Sequence, residues 1–179
     1  MSRTRAATRK HVQSALLAAL LCIISPIAIP FGPVPVTLSI FVVMLTAVVL
    51  EWKQAASAVL LYLLLGIVGL PVFSGGAGGI GVLIGPTGGY IWCYLPMVLC
   101  VSIGAGKGTW RRTAFFSAAS MILCYTLGTM QFMLVTGSGC MEALALCVWP
   151  FILFDAAKIA GAILLGRRLR HRLQEAELI

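Results

Sequence analysis

The sequence predicts an all-α, polytopic membrane protein: a six-transmembrane-helix bundle forming one integral membrane domain over residues 1–179, with Gly- and Pro-rich extracellular loops. Three observations lead there. Hydrophobic residues make up 60% of the 179 residues and charged residues 10%, where a soluble domain carries about 25% charge. The mean hydropathy is +1.03, and several apolar runs have the length, about 18 residues or more, that reads as a membrane span. The basic residues then fall on one side of the membrane once the spans are drawn.

Taken in order, the spans fall at about 12–29, 36–50, 55–70, 88–103, 113–136 and 154–166. The first stops at Pro30-Phe31-Gly32-Pro33-Val34-Pro35, whose prolines lack the N–H a helix needs. Its basic-then-apolar start resembles a signal peptide. No small-x-small cleavage site precedes the Pro-rich stretch, so the run is read as a retained span. The third span is closed by Pro71, and a Gly-rich loop runs from there to about Gly85. The start of the sixth span is open, because Pro150 interrupts the apolar run. Either one bent helix begins near Ala143, or a short surface segment precedes a helix beginning near Phe154. Several spans are shorter than the roughly 20 residues of a perpendicular helix, so local thinning or irregular ends make up the difference.

Six spans put both termini on one side, together with the turns at 51–53 and 107–112. That side holds twelve of the thirteen Lys and Arg residues, while the loops at 30–37, 71–87 and 137–142 hold none. Basic residues favour the cytoplasmic face, so both termini are expected in the cytoplasm. The net charge of +8 is accounted for by topology. No basic-aromatic groove or nucleic-acid module appears, so no nucleic-acid partner is expected.

The thirteenth basic residue is Lys158, inside the sixth span. It lies nine residues before Arg167, roughly 14 Å at about 1.5 Å per residue, and Asp155 lies about one turn further out. Spacing of three puts both on one helical face. Intramembrane charges are costly and face a bundle interior or a cavity. Three readings stay open: a self-neutralising pair that fixes packing, a proton relay, or a ligand site. In the last, Lys158 takes a carboxylate and Asp155 accepts from ligand N–H groups.

Other motifs carry less. Gly76-Ala77-Gly78-Gly79-Ile80-Gly81 matches G-x-G-x-x-G, but no strand precedes it and no acid follows about 20 residues on. Gly106-Lys107-Gly108 lacks the first glycine and the Ser/Thr of a Walker A loop, so no ATP hydrolysis is expected from this chain. His11 and His171 lie in the basic tails, and Ser117 and Ser120 have no base to activate them. Catalytic residues, metal ligands and cofactors are therefore expected to be none. The six cysteines include no C-x-x-C and are read as small apolar packing. Gln131 could bond a ligand or a neighbouring helix. Trp92, Trp149, Tyr90 and Tyr94 form an interfacial belt or line a pocket. Ala15 and Ala19 make a small-xxx-small pair on the first span, which lets another helix approach closely.

Five segments, spread through the chain, carry a resemblance. They are Pro33-Val34-Pro35-Val36-Thr37-Leu38, Gly69-Leu70-Pro71-Val72-Phe73, the cluster from Gly75 to Gly79, Gly85-Pro86-Thr87-Gly88-Gly89-Tyr90, and Pro150-Phe151-Ile152 followed by Asp155 and Lys158. In this combination and order the chain resembles BioY, the biotin-specific substrate-binding component of energy-coupling factor (ECF) transporters. The resemblance implies biotin uptake across a bacterial cytoplasmic membrane. Biotin would be the transported ligand, bound near the outer face by Asp155, Lys158, Gly75, Gly76, Thr87, Gly88, Gly89 and Tyr90. It further implies a membrane coupling subunit (EcfT-type), docking on Ala15 and Ala19, and two ATPase subunits (EcfA-type). The sequence departs from the family at Ser39-Ile40, where Gln-Thr is usual, and at Leu153-Phe154, where Pro-Gly is usual. The competing expectation is an ion-coupled or ECF-type carrier of another vitamin or carboxylate solute. An intramembrane enzyme or a purely structural subunit accounts for fewer of these features.

Overall fold

A computed structural model of the chain describes residues 3–30, 34–106 and 109–176. The fold is mostly helical. Helix α1 (Arg3–Ile24) opens it, and α2 (Ser39–Val49) and α3 (Trp52–Ile67) follow. Two short helices come next, α4 (Ile80–Ile84) and α5 (Gly88–Trp92), then α6 (Tyr94–Gly106) and the long α7 (Trp110–Thr136). The chain closes with α8 (Cys140–Cys147) and α9 (Phe151–Glu175).

Helix α2 lies at the centre, against α1, α6 and α9. Nearly its whole length is apolar without a polar stripe, and every residue from Val42 to Val49 is buried. A helix apolar all round is a core helix. Around it α1 packs on α3, α3 on α6, and α6 on α7. By length and composition, Gly88–Gly106 and Trp110–Thr136 can each cross a membrane, and α8 with α9 makes a third such unit when the bent pair is counted as one. Helices α2 and α3 are apolar but shorter.

Several boundaries have plain causes. Helix α1 ends at Ile24, before Pro26, and not at Ile29. Ala28–Ile29 instead pairs antiparallel with Val36–Thr37, in the register Ala28 to Thr37 and Ile29 to Val36. This two-residue ribbon (β1, β2) is a small departure from the all-α expectation. It arises because the prolines around it deny the segment helical hydrogen bonds while extended backbone still pairs. Pro96 sits in the first turn of α6, where its missing N–H costs little. It cannot extend α5 through Cys93, so the two helices abut there. Pro150 stands just before α9, and α8 meets α9 at 45°. The last helix therefore begins at Phe151, between the two starts that the sequence left open. Gly137 ends α7 in the left-handed region at φ 72° and donates its N–H to Met133 O at 2.9 Å, a C-terminal stop that favours glycine.

The Gly-rich segment is folded back, not extended. Phe73 is fully buried and seats its ring over Gly66, where any side chain would collide with it. Gly79 donates its N–H to Gly66 O at 2.7 Å, and Gly75 donates to Pro26 O at 3.1 Å. Gly75, Gly76 and Gly79 all have positive φ, which residues with a Cβ rarely adopt.

Candidate functional site

The ends of these elements converge on one cavity. Asp155 and Phe151 lie one turn apart on the inner face of α9, with Lys158 a further turn on. Outward-facing neighbours on the same helix, Leu153 and Phe154, are exposed. Helical periodicity thus separates an apolar outer face from an inner face that holds both charges.

Lys158 Nζ donates to Asp155 Oδ1 at 2.8 Å, and the side chains are 10% and 3% exposed. The other carboxylate oxygen accepts from Tyr125 OH on α7 at 2.7 Å. Both oxygens of the buried acid are therefore partnered, as burial of a charge requires. Only one Lys158 donor is used in that bond, and an ammonium has three. The remaining donors are available to a carboxylate entering the cavity.

The other walls are aromatic, apolar or hydroxylated. Tyr62 from α3 and Tyr94 from α6 meet with ring centroids 6.4 Å apart, and Phe73 braces Tyr62 edge-on at 5.6 Å. The ribbon and the chain beside it contribute Val34, Pro35 and Thr37, and the start of α2 contributes Ser39 and Ile40. Ser74 enters from the Gly-rich loop, and its Oγ has no partner among the described residues. Thr87, Tyr90, Ile91, Tyr125 and Cys147 complete the lining. The cavity leaves about 70 Å³ open to the centre of a water molecule, with apolar surface predominating.

Of the residues singled out from the sequence, Asp155, Lys158, Thr87 and Tyr90 line this cavity together. Gly75 and Gly76 lie next to Ser74 without lining it, and Gly88 and Gly89 are buried behind it. A methyl added at Gly89 would sit 2.9 Å from Gly128 Cα, and one at Gly88 would run into Leu83 O. Gly89 lets α5 lie against α7, and Gly88 lets it lie against the backbone of α4 at Leu83. Gly128 in turn accepts the face of the Tyr90 ring, whose hydroxyl bonds Thr129 Oγ1 at 2.9 Å. Gln131 donates to Leu83 O at 2.8 Å and Gly85 O at 2.9 Å. It ties down the segment that presents Thr87 and does not face the cavity. Ala15 and Ala19 are exposed on α1, away from the site, while Ala18 between them is buried.

Sequence reasoning did not single out Tyr125, Tyr62 or Ser74. A signal existed for Tyr125: it is a phenol in the middle of an apolar run, far from the ends where interfacial tyrosines sit.

The model of the BioY family matches residues 1–175. The chain belongs to the BioY family. Among BioY relatives, it is 38% identical over 157 residues to biotin transporter BioY2 of Lactococcus lactis, covering 87% of this chain and 86% of that one. It is 35% identical over 165 residues to biotin transporter BioY of Thermotoga maritima, covering 90% and 96%. In fold it is similar to the crystal structure of the S-component for biotin from an ECF-type ABC transporter. The TM-score is 0.87 at 24% identity, over 96% of this chain and 95% of that one. In this BioY chain, the paired charges and the aromatic walls lie at one end of the helical bundle, framed by the ribbon and the Gly-rich segment.

Proposed function

We propose that this chain takes up biotin as the substrate-binding subunit of an ECF-type transporter. Biotin binds in the Asp155–Lys158 cavity from the outer side of a bacterial cytoplasmic membrane. The observation that supports this most is the buried triad of Tyr125, Asp155 and Lys158 in an otherwise aromatic and apolar cavity. Biotin presents two ureido N–H donors, a carbonyl, an apolar bicycle and a carboxylate. Asp155 accepts from the ureido N–H groups, Lys158 meets the carboxylate, and Tyr62, Tyr90 and Tyr94 flank the rings and chain. Thr87 and Ser74 supply hydroxyls within the same cavity, and Gly75, Gly76, Gly88 and Gly89 hold the backbone that presents them.

Six spans follow if α1, α2, α3, the α5–α6 unit, α7 and the α8–α9 unit each cross, the short α2 doing so with the ribbon beyond its end. Both termini then lie in the cytoplasm, on the side of Lys10, Lys53, Arg112 and the arginines of the α9 tail. Energy comes from a separate coupling subunit and two ATPase subunits, with the exposed Ala15 and Ala19 of α1 as the docking surface.

The direct test is mass spectrometry of small molecules released from the detergent-purified protein, followed by titration with biotin and a vitamin panel. Biotin is expected to be recovered and bound. Recovery of a different vitamin, with no biotin binding, would overturn the substrate. For docking, Ala15→Leu and Ala19→Leu are expected to leave biotin binding intact and to abolish co-purification with the coupling subunit.

A further inference from the structure

Helix α2 begins at the wall of the Asp155–Lys158 cavity, where Ser39 and Ile40 line it. An α-helix leaves the N–H groups of its first turn without intrahelical partners. Here those of Ser39, Ile40 and Phe41 find no acceptor among the described residues. Leu38 holds the cap position; it has no side-chain oxygen to offer and makes no cap bond. The rest of the helix is buried from Val42 to Val49. Unfilled N–H groups at the end of a buried helix are costly.

A side chain at the same place also lacks an acceptor. Ser39 is 2% exposed, and its hydroxyl makes no hydrogen bond among the described residues. Its polar neighbour is the Tyr94 hydroxyl, which borders the same cavity, and no carbonyl takes the Ser39 proton. Lys158 stands at this level. A Cβ at Gly161 would meet the Phe41 ring at 3.5 Å, and one at Gly166 would meet Val48 at 2.8 Å, so α2 and α9 run side by side in the same direction. Ser39 lies two residues before Phe41, and Lys158 three before Gly161, rises of roughly 3 and 4.5 Å. The first turn of α2 and the turn of α9 that carries Lys158 therefore border one part of the cavity.

Charge balance says what these donors are for. Lys158 is already paired with Asp155, so an incoming carboxylate would leave one uncompensated negative charge in the cavity. A helix N-terminus carries the equivalent of about half a positive charge, and its free N–H groups suit an oxyanion. We propose that the first turn of α2 is the second half of a carboxylate clamp. The Ser39 and Ile40 N–H groups and the Ser39 hydroxyl hold one oxygen of the ligand's carboxylate, and Lys158 holds the other. This inference rests on the uptake reading above and deepens it. It makes Ser39 the residue that selects a ligand ionised at the end of its chain.

Calorimetric titration of the detergent-purified protein with biotin and with biotinol, in which a hydroxymethyl group replaces the carboxylate, tests it. Ser39→Ala is expected to weaken biotin about tenfold, the scale of one hydrogen bond to a charged group, and biotinol by less than about threefold. Ser39→Asp sets a fixed carboxylate on the same N–H groups, where it suits the helix end and repels the ligand's own. It should weaken biotin at least about 100-fold and biotinol far less. Ser39→Ala removes no hydrogen bond of the ligand-free protein, so it decides the matter even if Ser39→Asp unfolds. Equal losses of biotin and biotinol in Ser39→Ala would place the hydroxyl at the ureido end and overturn the clamp. Biotin affinity within about threefold of wild type in Ser39→Ala would overturn it as well, with the uptake reading intact. A wild-type protein that binds no biotin would overturn the uptake reading and the clamp with it.

Discussion

Whether the buried ion pair contacts the ligand or only holds the bundle together can be decided by separating its two effects. Lys158→Met leaves the Asp155 carboxylate 3% exposed with one remaining partner, the Tyr125 hydroxyl. Breaking a buried pair from one side costs about 3–5 kcal/mol. The surviving hydroxyl bond places this case at the lower end, at about 3 kcal/mol. Replacing all three members with apolar side chains, as Asp155→Leu, Lys158→Met and Tyr125→Phe together, leaves no uncompensated polar group. Such replacements are often close to neutral, so the triple variant should regain most of the lost stability. Loss of the ammonium–carboxylate contact should weaken biotin by about 10- to 100-fold, the range for hydrogen bonds to charged groups. The ligand reading therefore predicts a triple variant that is stable and binds biotin at least about 10-fold more weakly than wild type. If the pair fixes packing alone, stability and binding recover together. Unfolding in detergent gives the first quantity and calorimetric titration the second. A triple variant that binds biotin within about threefold of wild type would refute the assignment.

Further outcomes follow from neighbouring contacts. Tyr125→Phe removes the 2.7 Å bond to Asp155; unfolding in detergent should show a loss of about 1.5–3 kcal/mol. Gly128→Val pushes into the Tyr90 ring; the same measurement should register about 1–3 kcal/mol of overpacking, with weaker biotin binding because Tyr90 is displaced. Gln131→Leu releases the Leu83 and Gly85 carbonyls; hydrogen exchange should quicken across residues 80–90 while α2 stays protected.

Much of the membrane character could be read directly, because composition and charge placement act residue by residue. The long helix α7 could be drawn from hydropathy alone, since an apolar run of that length has few alternatives. Pro150 marked a break before the last helix. Its exact form, α9 starting at Phe151 and meeting α8 at 45°, depended on packing of the surrounding elements. The ribbon between Ala28–Ile29 and Val36–Thr37 was hidden for a similar reason. A two-residue pairing has no periodicity to detect, and a Pro-rich stretch reads simply as a loop.

The site divides along the same line. Asp155 and Lys158 stood out by themselves, because ionised groups within an apolar span need an explanation wherever the rest of the chain lies. Their spacing of three put them on one face before any fold was known. The Tyr125 bond, the tilted ring contact of Tyr62 and Tyr94, and Ser74 joining the cavity from the Gly-rich segment were decided by tertiary structure. So was the division of labour among the glycines, where Gly88 serves the approach of α5 to α4, Gly89 its approach to α7, and neither lines the cavity. Sequence by itself determined which residues could not be left alone in a membrane, because the cost of exposing a charge to lipid is a property of the side chain. Only the tertiary structure decided their company, because a hydrogen bond between residues 30 apart exists only once two helices have packed in register.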